Sequence, residues 1–335
     1  MSAAKARHCL FWALLTLLAL PAAAGSGPGT TDARSLLRQM LHAENTVALS
    51  GTQVTTLVRD GQEVSSQQRV LRNGTHGVRM EYVAPPRFAG ELVVDNGRVY
   101  WHYVPVTNTL ETGPSHLMRL RRRVPQVMQQ IKRGQLDVQY QGLDTVAGRA
   151  CAVVQVRPMQ AGAAPWRRFW IDTANGAQLR IEQYSPSGQR VSASAYTDVS
   201  YAPALDKDSF RIPPTPKGAR VVALDAGPPL PSVAQAQAQV GFPIASPMYL
   251  PPGFRFQSAS VSDYGGRKLV TLRYLNGLNV LSLFETPTNH APRGPGGAVE
   301  HPRRNVTQRI VNGLRVILVS TLPPDEMERV LGSVR

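Results

Sequence analysis

Four arginines stand within five positions, at Arg119, Arg121, Arg122 and Arg123. A guanidinium donates hydrogen bonds in a planar fork that fits phosphate and carboxylate oxygens, so this cluster is a candidate anion site. It is equally the composition of a solvated helix face. Aromatic residues are the second feature. Trp101 and Tyr103 lie two apart in an alternating stretch and share a strand face, with Tyr100 on the other. Trp166 and Trp170 occupy a second such stretch. On a curved sheet these rings could line a pocket for an acyl chain, or fill a core closed by the protein's own helices.

Signs of catalysis are absent at the local level. The seven histidines, His8, His42, His76, His102, His116, His290 and His301, include no pair at metal-ligand spacing. There is no Gly-x-Ser-x-Gly elbow and no phosphate-binding glycine loop. Asp60, Asp95 and Asp144 read as turn residues. A carboxylate pair assembled from distant strands stays open. The expectation is a binding protein without metal or cofactor, and not an enzyme.

The start of the chain indicates an address. Lys5, Arg7 and His8 precede an apolar run from Cys9 to Leu20, followed by Pro21 and Ala22-Ala23-Ala24. This is the three-part pattern of a signal peptide, cleaved near Ala24. The run is too short for a bilayer-spanning helix, which needs about 20 residues. No cysteine follows the small residues, so no lipid anchor is expected, nor is a transmembrane segment in the mature chain. Lys5 and Arg7 fall in the signal, so 37 basic residues become 35 against 22 acidic ones, a net charge of +13. Such a charge favours acidic partners: anionic head groups, lipopolysaccharide phosphates or acidic protein segments. Nucleic acid is disfavoured by the compartment. Only Cys151 survives processing, so no internal disulfide is available, and its alternating context makes it a core residue.

The elements that would position these residues follow from periodicity. Asp32 caps a helix running to about Asn45, with Leu36, Leu37, Met40 and Leu41 on one face. From Val47 the period is two. Asp60-Gly61 and Asp95-Asn96-Gly97 mark hairpins. Residues 114–133 form one or two short helices interrupted at Pro125, carrying the arginine cluster. Five more alternating stretches follow, from Leu136–Tyr140 to Val191–Tyr201. The pattern predicts an α+β, mostly antiparallel fold: a curved half-barrel sheet with a helical insertion over 32–213. A proline- and glycine-rich linker covers 214–239. A smaller α+β domain covers 240–335, ending in a helix opened by Pro324 with Met327, Val330, Leu331 and Val334 on its apolar face.

The last domain carries a resemblance. Leu272–Glu285, with Tyr274, Asn276-Gly277 and Phe284, resembles a strand pair of the RseB/MucB family, periplasmic regulators of the envelope-stress sigma factor. Met248–Phe254 looks like the family's entry to its C-terminal domain, and Leu322-Pro323-Pro324 with Met327–Val334 like its closing helix. Val146–Arg149 and Phe169–Asp172 with Asn175-Gly176 are similar in the larger domain, and residues 45–110 match poorly. The resemblance implies a first domain like the lipoprotein carriers LolA and LolB, with an apolar cavity. It also implies a second domain that helps hold the periplasmic part of a membrane-anchored anti-sigma factor, and an acyl-chain or lipopolysaccharide ligand that relieves the grip. Candidate binding residues are then Arg119, Arg121, Arg122, Arg123, Trp101, Tyr103, Trp166, Trp170, Tyr274 and Phe284. The alternative is a lipoprotein or lipid carrier, and a homodimer is left open.

Overall fold

Period-two alternation governs most of the chain and builds two sheets. The computed structural model describes residues 32–59, 62–159, 165–223, 227–263, 268–276, 279–288 and 305–335. At 59, 118–124, 126 and 305 that description is of the backbone alone. The proposed signal peptide, the Asp60-Gly61 turn, Gly277 and most of the loop before residue 305 lie outside the described residues.

Helix α1, Ala33–Thr46, opens as expected on Asp32, whose carboxylate accepts the Arg34 N–H at 3.1 Å. Strands β1 (Ala48–Arg59), β2 (Gln62–Asn73), β3 (Gly77–Ala84), β4 (Leu92–Asp95), β5 (Val99–Val104) and β6 (Thr109–Pro114) follow. After α2 (His116–Lys132) come β7 (Leu136–Val146), β8 (Arg149–Pro158), β9 (Trp166–Asp172), β10 (Gln178–Tyr184) and β11 (Arg190–Tyr201). With β12 (Arg220–Ala223) they form one twelve-stranded sheet, ordered β12-β6-β5-β4-β3-β2-β1-β11-β10-β9-β8-β7. After α3 (Val233–Gln237), strands β13 (Arg255–Asp263), β14 (Lys268–Leu275), β15 (Val280–Pro287), β16 (Asn305–Val311) and β17 (Leu314–Ser320) form a five-stranded sheet, closed by α4 (Pro324–Gly332).

Helix α2 shows why the first sheet curves. Its start is held by Asp95 at the end of β4, and its far half, Val127 and Ile131, packs with Val154 and Val156 of β8. In a flat sheet the seven steps from β4 to β8 would span about 34 Å at about 4.8 Å each. A helix of 17 residues is only about 25 Å long. One helix reaches both strands because the sheet wraps around it. Leu37, Met40 and Leu41 of α1 join Val127, Ile131, Phe169 and Ile171 in that core. The second sheet has its own core, where Met327, Val330 and Leu331 of α4 meet Leu272, Leu281, Leu283, Val316 and Leu318. Each such side chain contributes about 1.5–3 kcal/mol by leaving water.

Four expectations change. Helix α2 is a single helix that continues through Pro125, because its second half is anchored in the core. Asp144 is no turn residue: it lies within β7 opposite Cys151, and the turn falls at Ala147-Gly148, where φ is +50° and +71°. Strand β6 lies in a stretch to which the pattern assigned no element. Residues 214–239 are more than a linker: β12 pairs in parallel with β6, Ala236 of α3 is fully buried in the second core, and Leu230 bridges Ala259. Cys151 is fully buried, and burial pushes its thiol up to about 11, which makes it inert.

Asp95 does more than make a turn. One carboxylate oxygen accepts Gly97 N–H at 2.9 Å and the Ser115 hydroxyl at 2.7 Å, the other His116 N–H at 2.7 Å. It joins the β4–β5 turn to the start of α2. Asp95→Ala should therefore cost about 2–3 kcal/mol, read as a lowered urea midpoint, with Asp95→Asn losing less.

Candidate functional site

The helix-bearing face of the first sheet divides into an apolar and a polar part. Ile181 and Phe169 are register partners, and Ile181 also faces Ser194. From Ser194 the same face turns polar. Thr55 lies between Ser194 and Ser66, and its hydroxyl is 2.8 Å from that of Ser194. The buried Gln68 amide donates to Thr55 at 3.0 Å and Gln53 at 3.2 Å.

The face continues through the register chain Val70, Met80, Val93, His102 and Glu111. His102, only 1% exposed, stands between two carboxylates: Nε2 donates to Glu91 at 2.6 Å and Nδ1 to Glu111 at 3.2 Å. Burial alone would lower the imidazole, but the hydrogen bonds to Glu111 and Glu91 outweigh it and push it up to about 9. His102 is therefore an imidazolium at neutral pH. Beside it, burial and then the Glu111 charge raise the Tyr100 hydroxyl, and its ring stacks on His116 at 3.9 Å. This Glu91–His102–Glu111 row is a charge network tying the β4 approach, β5 and β6 together. Among the described residues no group of His, Cys, Asp or Glu is arranged to hold a metal ion.

The aromatics named from the sequence do not meet in one cavity. Trp101 and Tyr103 do come together, on the opposite face of β5, in a cluster with Leu92, Val94, Leu110, Ile212 and Ala219. Trp166 stacks on Tyr184 at 3.9 Å, with the Arg157 guanidinium at 4.1 Å from its ring. Trp170 belongs to another cluster, where its indole N–H donates to Asp144 at 2.7 Å and Arg180 lies 4.4 Å from its ring. Tyr274 is buried in the second core, whereas Phe284 is half-buried on the other face of that sheet. Arg119, Arg121, Arg122 and Arg123 lie along α2, and their side chains are outside the described residues. On the helix side, residues of α1 and α2 occupy the space over β7–β10. An open groove of about 510 Å³ lies elsewhere, lined by Ser50, Thr52, Arg69, Arg79, Glu81 and Asp198.

Two buried groups went unnoticed in the sequence. The Glu91–His102–Glu111 row is one. Glu285 is the other, fully buried in β15, with one oxygen accepting Ala245 N–H at 2.8 Å and the other without a partner among the described residues. Burial pushes its carboxyl up to about 7 against the lowering effect of that bond. The sheets are joined at Asn279, also fully buried, whose amide donates to the Pro165 carbonyl at 2.9 Å.

A curved, mostly antiparallel sheet with helices packed on one face, followed by a smaller sheet domain, with polar networks that brace strands, defines a two-domain β-rich scaffold. The chain belongs to the MucB/RseB family: the MucB/RseB N-terminal domain matches residues 32–214. The fold extends over both domains. MucB in complex with MucA(peri) is 19% identical, covers 91% of this chain and 98% of its own, and has a TM-score of 0.56. MucB alone is 20% identical, with a TM-score of 0.57 over 92% and 99%. The MucA/MucB complex of Pseudomonas aeruginosa is 19% identical, with a TM-score of 0.57 over 91% and 98%. No curated protein matches the chain.

Proposed function

We propose that this protein is exported by a signal peptide cleaved near Ala24 and acts in the periplasm. There it binds the periplasmic region of a membrane-anchored anti-sigma factor and restrains envelope-stress signalling. The observation that carries this reading is the agreement with MucB in complex with MucA(peri) across both domains rather than the first alone. A lipid carrier of the LolA or LolB type has no use for a second domain over residues 240–335. Release by a lipid is the second part of the proposal. Side chains of α1 and α2 occupy the helix side over β7–β10, so an acyl chain would enter there by displacing a helix, and α2 is the candidate because Pro125 removes one of its backbone hydrogen bonds. Such a ligand releases the partner only if it binds the free form more tightly.

The test is calorimetric titration of the mature chain with the periplasmic region of the anti-sigma factor of its own genome. Saturable one-to-one binding is expected. Arg121, Arg122 and Arg123 changed together to Ala should weaken it and flatten its salt dependence. No binding by the intact chain defeats the regulatory reading. Unchanged affinity in the triple variant at low salt returns the cluster to a solvated helix face.

A further inference from the structure

The two sheets end in four edge strands, and three of them carry a device against pairing with another chain. Strand β12 has only four residues. Strand β7 has a break in register between Tyr140 and Leu143 and carries Asp137 and Asp144. Strand β13 has a break between Phe256 and Ser258, and Leu230 covers it, exchanging hydrogen bonds of 2.7 and 2.9 Å with Ala259.

Strand β16 has neither a break in register nor, among the described residues, a segment paired along its outer edge. Its seven residues, Asn-Val-Thr-Gln-Arg-Ile-Val, contain no proline and no acid, and its pairing with β17 is unbroken. Val306 and Ile310 share one face and are 47% and 66% exposed. The apolar surface continues inward: Val306 faces Val319, and Gln308 faces Ile317, which faces Phe284. An edge of this kind presents unpaired backbone groups beside apolar side chains, the arrangement that β-strand addition uses.

Charge selects the occupant. Strands β16 and β17 hold Arg309 and Arg315 and no acidic residue, and Arg315 lies directly opposite Ile310. Without the proposed signal peptide the chain carries 35 basic and 22 acidic residues, a formal charge of +13, so a second copy would bring like charges together. We propose that β16 is a docking edge that takes an extended acidic segment of a partner as a sixth strand. Backbone hydrogen bonds supply affinity, and two apolar side chains four residues apart meet Val306 and Ile310. The inference requires no particular partner, so it stands or falls separately from the regulatory role.

The test uses the full mature chain and an acetylated peptide alternating glutamate and valine, about nine residues long to match an ordinary strand. Its lysine–valine counterpart is the charge control. The acidic peptide should bind in the micromolar range and slow amide exchange in β16 but not in β7 or β12. Val306→Lys with Ile310→Lys should weaken binding by about tenfold or more without lowering Tm, since Ile310 is largely exposed and Val306 about half exposed. Absence of binding, protection at another strand, or equal binding of the lysine peptide would overturn the proposal. So would a concentration-dependent dimer abolished by the same two substitutions, which would assign the edge to a second copy. A double variant with a lowered Tm would be replaced by Ile310→Thr, which keeps β-branching, with the same tenfold criterion applied in proportion.

Discussion

Glu285→Gln is expected to stabilise the protein by about 2 kcal/mol at pH 8 and to change little at pH 4. The carboxyl is fully buried, has among the described residues one hydrogen bond, from Ala245 N–H, and is pushed up to about 7 in the folded chain. In the unfolded chain it returns to its ordinary value near 4.5. A raised carboxyl leaves the folded state undisturbed below the unfolded value, and stability is lost as pH rises toward the folded one. A difference of this size corresponds to about 3 kcal/mol at most, and the amide gives part of it back because its N–H₂ also needs a partner. The titratable side chain coupled to Glu285 is the Tyr274 hydroxyl, itself pushed up to about 12 by burial. Urea midpoints of both proteins from pH 4 to 8 decide the matter. A Glu285→Gln protein less stable than the parent at pH 8 would refute this account.

Much of this fold is legible in the sequence because its signals are local. Asp32 caps a helix whose apolar face repeats every three or four residues, and that helix forms where expected. Asp95-Asn96-Gly97 joins two strands because the Asp95 and Asn96 side chains accept nearby backbone N–H groups and Gly97 takes φ +78°. Pro324 opens α4, with Asp325 and Glu326 in the first turn.

What stays hidden depends on register. Glu91, His102 and Glu111 meet because three segments align, and no spacing along the chain records that. Asp144 misleads for a related reason: the bulge near Gly142 interrupts the alternation, so strand β7 reads as ending too early. The aromatic residues were legible as strand residues but not as neighbours. Trp101, Trp166 and Trp170 share a sheet and fall into separate clusters: Trp166 and Trp170 lie four residues apart along β9, and Trp101 lies seven strands away on β5.

His102→Leu is expected to cost about 3–5 kcal/mol at pH 7, because it removes the imidazolium that the largely buried Glu91 and Glu111 share. The pH dependence tests the assignment more sharply than the magnitude. The folded imidazolium titrates near 9 and the unfolded one near 6.5, so its contribution is complete below 6.5 and is lost as pH rises through 9. This window adjoins the Glu285 window, and both slopes have the same sign, so the parent protein should lose stability continuously from mildly acidic to alkaline pH. The variants separate the two groups. Glu285→Gln should flatten the curve below pH 7 and leave the alkaline slope, and His102→Gln should do the reverse. A His102→Gln protein that kept the alkaline slope would show that the imidazole is neutral between its carboxylates. The row would then brace β5 and β6 through neutral hydrogen bonds, and the cost of His102→Leu should fall to about 1–3 kcal/mol.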